Sequence, residues 1–483
     1  MAKGLLRFLV RAAGLIGVAF FLRWLFLRLR RIVLRPTEYT TPAIGPDEVT
    51  PAMRRLVLSD IHMGGGDRLD DFEDDDALVA FLDNYASGRG PTELILAGDT
   101  IEFLQVRLPD LDDDEYSDAA AARRISHVIR AHNAVFAAIG RFIAQPGNQL
   151  TVLIGNHDFE LHYPTAKRLF AEAVGLSLSD PRLRFGVSYS GGGIYLVHGN
   201  QFDGWNRFLY FDGISEPFEV VRGTQLVKEV INDLEEDPLP IAPLLDNVKP
   251  SSAFFWHLMA LPRLRMPEAR RFLARGVTGF IQVVAWPTPH QMPITGEGPG
   301  GPLSAPPLRW LWRWVAAIRR GRVARHREVA RQVGEVAGAV EPPTEVIDQV
   351  QNEAARQADR ERRAFNDSFA RQMLQIARRP EHRDTTLFVC GHTHLARVVP
   401  LGREQVYINT GTWTEIIYDI ATMRRQDQRF PFLEITYPNG EKPLGRLLVW
   451  ADPETDPQPW RDQPHGANSL RRRTPQQQSH DRV

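Results

Sequence analysis

The sequence predicts an α/β fold, and three observations lead to it. Five short apolar runs, at 56–58, 94–96, 150–154, 194–197 and 387–389, each end in a turn residue, as strands buried on both faces do. Between two of them, residues 119–144 carry Ile125, Val128, Ile129, Val135, Phe136 and Ile139 at helical spacing. Each strand-like run is followed at once by Asp, Asn or His in a glycine-bearing loop. Such loops would gather along one edge of a sheet, where open α/β sheets bind ligands.

The elements follow in order along the chain. Residues 1–35 contain Lys3, Arg7, Arg11, Arg23, Arg28, Arg30, Arg31 and Arg35 and no acidic side chain. The uncharged stretch from Ala12 to Leu22 has 11 residues, short of the roughly 20 that span a bilayer. The segment is expected to be a membrane anchor, either crossing with Arg23 snorkelling or lying in the interface. Arginines 28, 30, 31 and 35 slightly outweigh the basic residues before the apolar stretch, which places the body on the cytoplasmic face. Residues 36–52, with four prolines, are expected to be a linker.

Residues 53–200 form the first part of the core. Its strand ends carry Ser59-Asp60-Ile61-His62, Gly98-Asp99, Gly155-Asn156-His157-Asp158 and His198-Gly199-Asn200. Acidic runs at 67–76 and 110–118 read as solvated loops or helix starts, the alternative being attraction of cations toward the site. Residues 201–384 are a long insertion, expected to be a helical cap over the ligand edge. It opens with Phe202, Trp205, Phe208, Tyr210, Phe211 and Phe218. It contains a flexible Gly/Pro stretch at 287–307, then a Trp/Arg segment at 308–325 that offers a second membrane contact. It ends in an amphipathic helix at 344–379. Residues 385–451 complete the core with Gly391-His392-Thr393-His394, preceded by Cys390, expected as a small core residue. Residues 452–483 are polar, rich in proline and glutamine, and expected to be disordered.

The bulk composition excludes little. A net charge of −1 over 483 residues lacks the basic field of nucleic-acid binders, so no nucleic-acid partner is expected. One cysteine cannot form an internal disulfide.

The chemistry lies in the strand ends. A lone Asp or His carries no information, whereas an ordered set of carboxylate, amide and imidazole groups describes a two-metal site of the kind that clamps an in-line displacement at phosphorus. Oxygen and nitrogen ligands without thiolate suit two divalent ions, Mn²⁺ foremost, with Fe or Zn²⁺ as alternatives.

In this order, Asp-x-His, Gly-Asp, Gly-Asn-His-Asp, His-Gly and Gly-His-Thr-His, the blocks resemble the calcineurin-like metallophosphoesterase superfamily. The resemblance implies a four-layer α/β/β/α sandwich. It implies that Asp60, His62 and His394 hold one metal, that Asn156, His198 and His392 hold the other, and that Asp99 bridges them. A metal-bridging hydroxide would attack phosphorus, while His157, not itself a ligand, would act at the leaving oxygen with Asp158 orienting it. Within the superfamily, Gly98-Asp99-Thr100-Ile101-Glu102-Phe103, Gly155-Asn156-His157-Asp158-Phe159 and Gly411-Thr412-Trp413-Thr414-Glu415 are similar to the UDP-2,3-diacylglucosamine diphosphatase family, whose insertion is a lid for acyl chains. The chain departs from that family in its N-terminal segment, its longer insertion and its C-terminal tail.

Arg123 and Arg124, near the start of the 119–144 helix, are candidates to grip phosphate. His127, His132, His162, His257 and His290 lack a ligand partner at diagnostic spacing and are expected in surface or packing roles. The function expected is hydrolysis of a lipid-linked or nucleotide-diphospholipid phosphate ester or anhydride at the membrane. The alternatives are a tethered phosphatase or phosphodiesterase on a soluble nucleotide or phosphoprotein, and a membrane scaffold with little hydrolysis.

Overall fold

A computed structural model describes residues 34–50, 53–86, 90–235, 367–402, 404–419, 424–438 and 442–461, with Arg275, Gly276, Thr278, Gly279, Val283 and Gly440. The strands are β1 (Arg35–Thr40), β2 (Arg54–Leu58), β3 (Thr92–Ala97), β4 (Gln149–Leu153), β5 (Leu183–Gly186), β6 (Ser188–Gly191), β7 (Ile194–Val197) and β8 (Gly213–Glu216). After the insertion come β9 (Leu387–Cys390), β10 (Arg397–Pro400), β11 (Val406–Asn409), β12 (Ile417–Asp419), β13 (Arg424–Arg425), β14 (Pro431–Thr436), β15 (Leu444–Val449) and β16 (Gln458–Pro459). Among the described residues four α-helices precede the insertion: α1 (Asp75–Ala86), α2 (Asp118–Ala131), α3 (Asn133–Ile143) and α4 (Pro164–Ala173).

Two sheets face one another. One runs β16-β15-β14-β2-β3-β4-β5, with β2 to β5 parallel; the other runs β10-β11-β9-β7-β6, with β11, β9 and β7 parallel. All five runs read as strands from the sequence are strands, and each supplies side chains to two layers. Val57, Ile95 and Leu153 point inward to meet Leu196, Leu387, Val389 and Ile408 of the other sheet. Their neighbours Leu56, Leu58, Leu94, Leu96 and Val152 point outward under Leu78, Phe81, Ile125, Val128, Val135 and Phe136. On the far side Phe388, Cys390 and Tyr407 pack against Phe369, Met373 and Ile376 of a helix at 367–377. Period-two side chains buried on both faces therefore build the α/β/β/α layering that the sequence implied. Cys390 is a fully buried core residue.

The structure corrects four expectations. The linker at 36–52 is partly structured: β1 pairs with β8, and Ile44, buried, bridges to Tyr189. The tail expected to be disordered from 452 is ordered to residue 461, because β16 pairs with β15 and Trp460 packs against the inter-sheet core. The helix at 119–144 is two helices, broken at His132, whose ψ of 35° leaves the helical region. There both ring nitrogens of His132 are held by carboxylates, Asp75 at 2.6 Å and Asp70 at 2.8 Å. Fourth, the insertion does not start as cap alone, since its residues 213–216 form β8 and 222–235 are helical.

The N-terminal segment 1–33, the Gly/Pro stretch, the Trp/Arg segment and most of the cap lie outside the described residues. Of the helix expected at 344–379, residues 367–377 are seen, with Phe369 and Ile376 buried as its pattern required. Among the described residues no helix is long and apolar enough to cross a membrane.

Candidate metal centre

The sheet edges converge as the parallel strands demand. Beyond β2 and β3, the backbone N–H groups of Asp60 and His62 donate to the carbonyls of Gly98 and Asp99, both at 3.0 Å. Gly391 N–H donates to His198 O at 2.8 Å, and His392 N–H to the Asp60 carboxylate at 3.0 Å. These bonds tie loops from both sheets into one cluster. Two glycines make the closeness possible. A Cβ on Gly155 would lie 2.2 Å from Asp99 Oδ1, and one on Gly391 would lie 2.2 Å from Asp60 Oδ2.

The backbone is strained where the ligands sit. Among the described residues six non-glycine positions have positive φ, and five are Asp60, Asp99, His62, His392 and His394, at 51–66°. Each such residue costs about 1–3 kcal/mol and is kept only where its surroundings over-determine it. Thr412 Oγ1 and Trp413 N–H both donate to Asp60 O, which gives the Gly-Thr-Trp-Thr-Glu block a buttressing role.

His198, His62 and His392 each have one nitrogen committed, and the commitment decides which nitrogen is left for an ion. His198 Nδ1–H donates to Ala97 O at 3.0 Å, leaving Nε2 at 2.9 Å from Asp99 Oδ2. His62 Nδ1–H donates to Glu102 Oε2 at 2.8 Å, leaving Nε2 at 3.1 Å from His394 Nε2. His392 Nε2–H donates to Asp203 Oδ2 at 3.1 Å, leaving a buried Nδ1 without a hydrogen-bond partner. The buried Asn156 Oδ1 also lacks one.

Among the described residues three clusters could hold an ion: Asp60, His62 and His394; Asp99, His198 and His392; and His62, Glu102 and His157. Spacing separates them. Two ligand atoms each about 2.1 Å from one ion at 90–110° lie roughly 3.0–3.4 Å apart. His62 Nε2 to His394 Nε2 at 3.1 Å and His394 Nε2 to Asp60 Oδ1 at 3.3 Å fit that window, and Asp99 to His198 at 2.9 Å falls at its edge. The Glu102 contacts, 2.8 Å to His62 and 2.5 Å to His157, are hydrogen bonds. Two ion positions remain, and the orphaned Asn156 Oδ1 and His392 Nδ1 suit the second.

Charge within the cluster is balanced by imidazole. Burial opposes ionisation of Asp60, yet the His394 charge outweighs it and holds the carboxyl at about 2. Asp99 is likewise held well below the usual range, against burial, by His198 and His157. Burial disfavours the His198 cation, but Asp99 pushes the ring up to about 10. Bound divalent cations would take the place of those protons.

The seven expected ligands Asp60, His62, Asp99, Asn156, His198, His392 and His394 all come to this edge. Three other expectations change. Asp158 does not orient His157: its two oxygens accept the N–H of Gly155 at 2.6 Å and of Thr100 at 2.8 Å, so it ties two ligand loops together. Its burial, then the Asp99 charge, pushes it up to about 7. Arg124 does not face the site, being 1% exposed and bonded to both oxygens of Glu160 at 3.0 and 2.9 Å. Arg123 pairs with Asp110 on the surface. His132 and His162 are buried in packing roles, whereas His257 and His290 lie outside the described residues.

Sequence reasoning assigned no role to Glu102 or Asp203. Glu102 stood inside a quoted motif, three residues after Asp99, and its distance from Asp99 along a loop carried no geometric hint. Asp203 follows His198 by five residues in the aromatic start of the insertion, where nothing marked it as a ligand partner.

Residues 53–247 match the family model described as calcineurin-like phosphoesterase. That span ends before the block at 391–394, which the structure brings to the same edge. No curated protein sequence matches the chain. Among solved structures a dimetal phosphatase from Danio rerio is similar, at 13% identity over 82% of this chain and 99% of that one, with a TM-score of 0.26. Residues 53–247 are similar to calcineurin-like phosphoesterases, and with its ligand clusters completed by His392 and His394 the chain is a metal-dependent phosphoester hydrolase.

Proposed function

We propose that the protein uses two divalent ions, Mn²⁺ foremost, to hydrolyse a phosphate ester or anhydride in a lipid-linked or nucleotide-diphospholipid substrate at the cytoplasmic face of a membrane. The observation that carries the hydrolytic part is the pair of ligand clusters with His157 beside them. Loaded there, the two ions would supply an ionised water and neutralise phosphoryl oxygens. Everything else falls to the chain. Asp99 takes His157 N–H on Oδ1 at 2.8 Å and lies beside His198 through Oδ2, which holds the carboxylate at the second cluster. The Glu102 carboxylate stabilises a doubly protonated His157, whose Nε2–H can pass to the leaving oxygen as the bond to phosphorus breaks.

The lipid part rests on the sequence. The recess beside Asn156 and His157, lined by Leu104, Tyr116, Phe159, Glu160, Phe208, Phe218 and Thr224, has room for about one water and does not itself house an acyl chain. The basic, apolar segment 1–35 suits a membrane surface. The sequence resembles an acyl-chain-handling family at its ligand blocks, although segment 1–35 is a departure from it, and a UDP-sugar lipid is therefore the first substrate to try.

The test assays Mn²⁺-loaded protein on a UDP-sugar lipid, a cyclic nucleotide and a phosphopeptide. The lipid should be preferred; preference for either soluble compound would sink the lipid reading, and inactivity with a full metal complement would favour a scaffold. His157→Ala should lower turnover by about 10²–10⁴-fold while keeping two ions per chain at saturating metal. Deleting residues 1–35 should release the protein from membranes.

A further inference from the structure

Glu102 is fully buried, and each of its oxygens has its own task. Oε1 accepts Leu104 N–H at 2.8 Å, which fixes the carboxylate in the loop beyond β3. Oε2 accepts two imidazole N–H groups at once, from His62 at 2.8 Å and from His157 at 2.5 Å. The two rings stand edge to face with centroids 4.6 Å apart. His62 belongs to the first ligand cluster, whereas His157 belongs to neither of the two ion positions. We propose that Glu102 is a positioning residue that makes filling of the first metal position and orientation of His157 a single event.

The argument is one of shared acceptors. An ion on His62 Nε2 requires the Nδ1–H tautomer, and that tautomer requires an acceptor at Glu102 Oε2. His157 presents Nε2 to the reacting phosphate only while its own Nδ1–H is held by the same oxygen. Polarising His62 with an ion makes its N–H a stronger donor, so the shared oxygen must redistribute its bonding toward His62. The neighbouring ring feels that change without touching the ion. Coupling of this kind is reciprocal: whatever the ion does to His157, His157 does to ion affinity. Glutamine cannot replace the carboxylate. Its carbonyl can face the two rings only by turning its NH₂ group toward Leu104 N–H, and the opposite rotamer offers the rings donors in place of an acceptor.

The proposal rests on the assignment of His62 to a metal position, and its test separates the two. Histidine-¹⁵N-labelled protein would be titrated with Zn²⁺, a diamagnetic ion, and the His157 ring signals identified by their loss in His157→Ala. In the wild type the His62 and His157 signals should move together on the first equivalent. In Glu102→Ala the His62 signals should still respond, with affinity weakened about 10–100-fold, while those of His157 no longer follow. Glu102→Gln, nearly the same size, should melt close to the wild type and show the same uncoupling. His157→Ala should keep its metal stoichiometry but change first-site affinity by roughly five-fold or more. On bis(p-nitrophenyl) phosphate the turnover losses of Glu102→Ala and His157→Ala should not multiply in the double variant. A His157 signal that follows Zn²⁺ in both Glu102 variants, or an unchanged affinity in His157→Ala, would overturn the proposal. Absence of any His62 response in the wild type would instead refute the metal assignment beneath it.

Discussion

Replacing Arg124 tests whether it is a substrate ligand or a strut. The guanidinium is buried between α2 and the loop before it. Its Nη1 bonds both Glu160 oxygens and Glu115 O, and its Nη2 bonds the carbonyls of Asp112, at 3.2 Å, and Asp113, at 3.4 Å. Arg124→Met removes the charge while filling much of the volume. Glu160, 2% exposed, is then left as a buried anion without its cation. Breaking a buried pair in this way costs about 3–5 kcal/mol. At roughly 2–4 °C per kcal/mol for a domain of this size, the melting temperature should fall by roughly 6–20 °C. The double variant Arg124→Met/Glu160→Met should recover most of that loss, because no charge remains unpaired. Thermal melts followed by circular dichroism give the first quantity, and steady-state kinetics below the melting range give the second. The Michaelis constant of Arg124→Met should stay near the wild-type value. A variant that melts like the wild type but needs far more substrate would refute the strut and restore the phosphate grip read from the sequence.

Three further outcomes are expected. Asp203→Ala removes the acceptor of His392 Nε2–H and should weaken the second metal position by about 10–100-fold in calorimetric titration, whereas Asp203→Asn, which keeps an acceptor, should lose less. Burial disfavours the His132 cation, but its hydrogen bonds to Asp70 and Asp75 raise it from 6.5 to about 9. The stability it contributes is therefore complete below pH 6.5 and lost as pH rises through 9; denaturant titrations at pH 6, 8 and 10 should show a decline that His132→Asn flattens, and equal declines in both proteins would exclude His132 as the cause. Stripping divalent ions should lower the melting temperature, and ions restored at a hundredfold excess over their dissociation constant should return about 2.7 kcal/mol for each site filled.

The catalytic edge was legible because strand and ligand are adjacent in the chain. A run such as 94–96 announces a buried strand by composition, and Gly98-Asp99 directly after it can go nowhere but the strand's end. What failed to be legible depended on contacts between distant residues. Glu102 meets His157 across 55 residues and Asp203 meets His392 across 189, and no local pattern reports such a meeting. Arg124 read as a candidate phosphate grip because its partner Glu160 is likewise distant. The resemblance misled at Asp158, which it cast as orienting His157 whereas the carboxylate turns back to its own loop and to Thr100. The prolines of 36–52 suggested a linker, yet proline is tolerated in a strand with a free side. β1 has β8 as its partner.

The left-handed backbone at Asp60, His62, Asp99, His392 and His394 places a second filter on what those positions can hold. Asp, Asn and His are the side chains that most readily enter that region after glycine, and they are also good metal ligands. Glutamate could reach an ion from several of these positions and would satisfy its coordination chemistry, but it lacks the short polar arm that eases the turn. β-Branched residues would meet a steeper penalty. The alphabet open to anyone retuning this centre is therefore about three letters long at five of its seven ligands, and metal preference would have to be altered through Glu102, Asp203 and the walls around them.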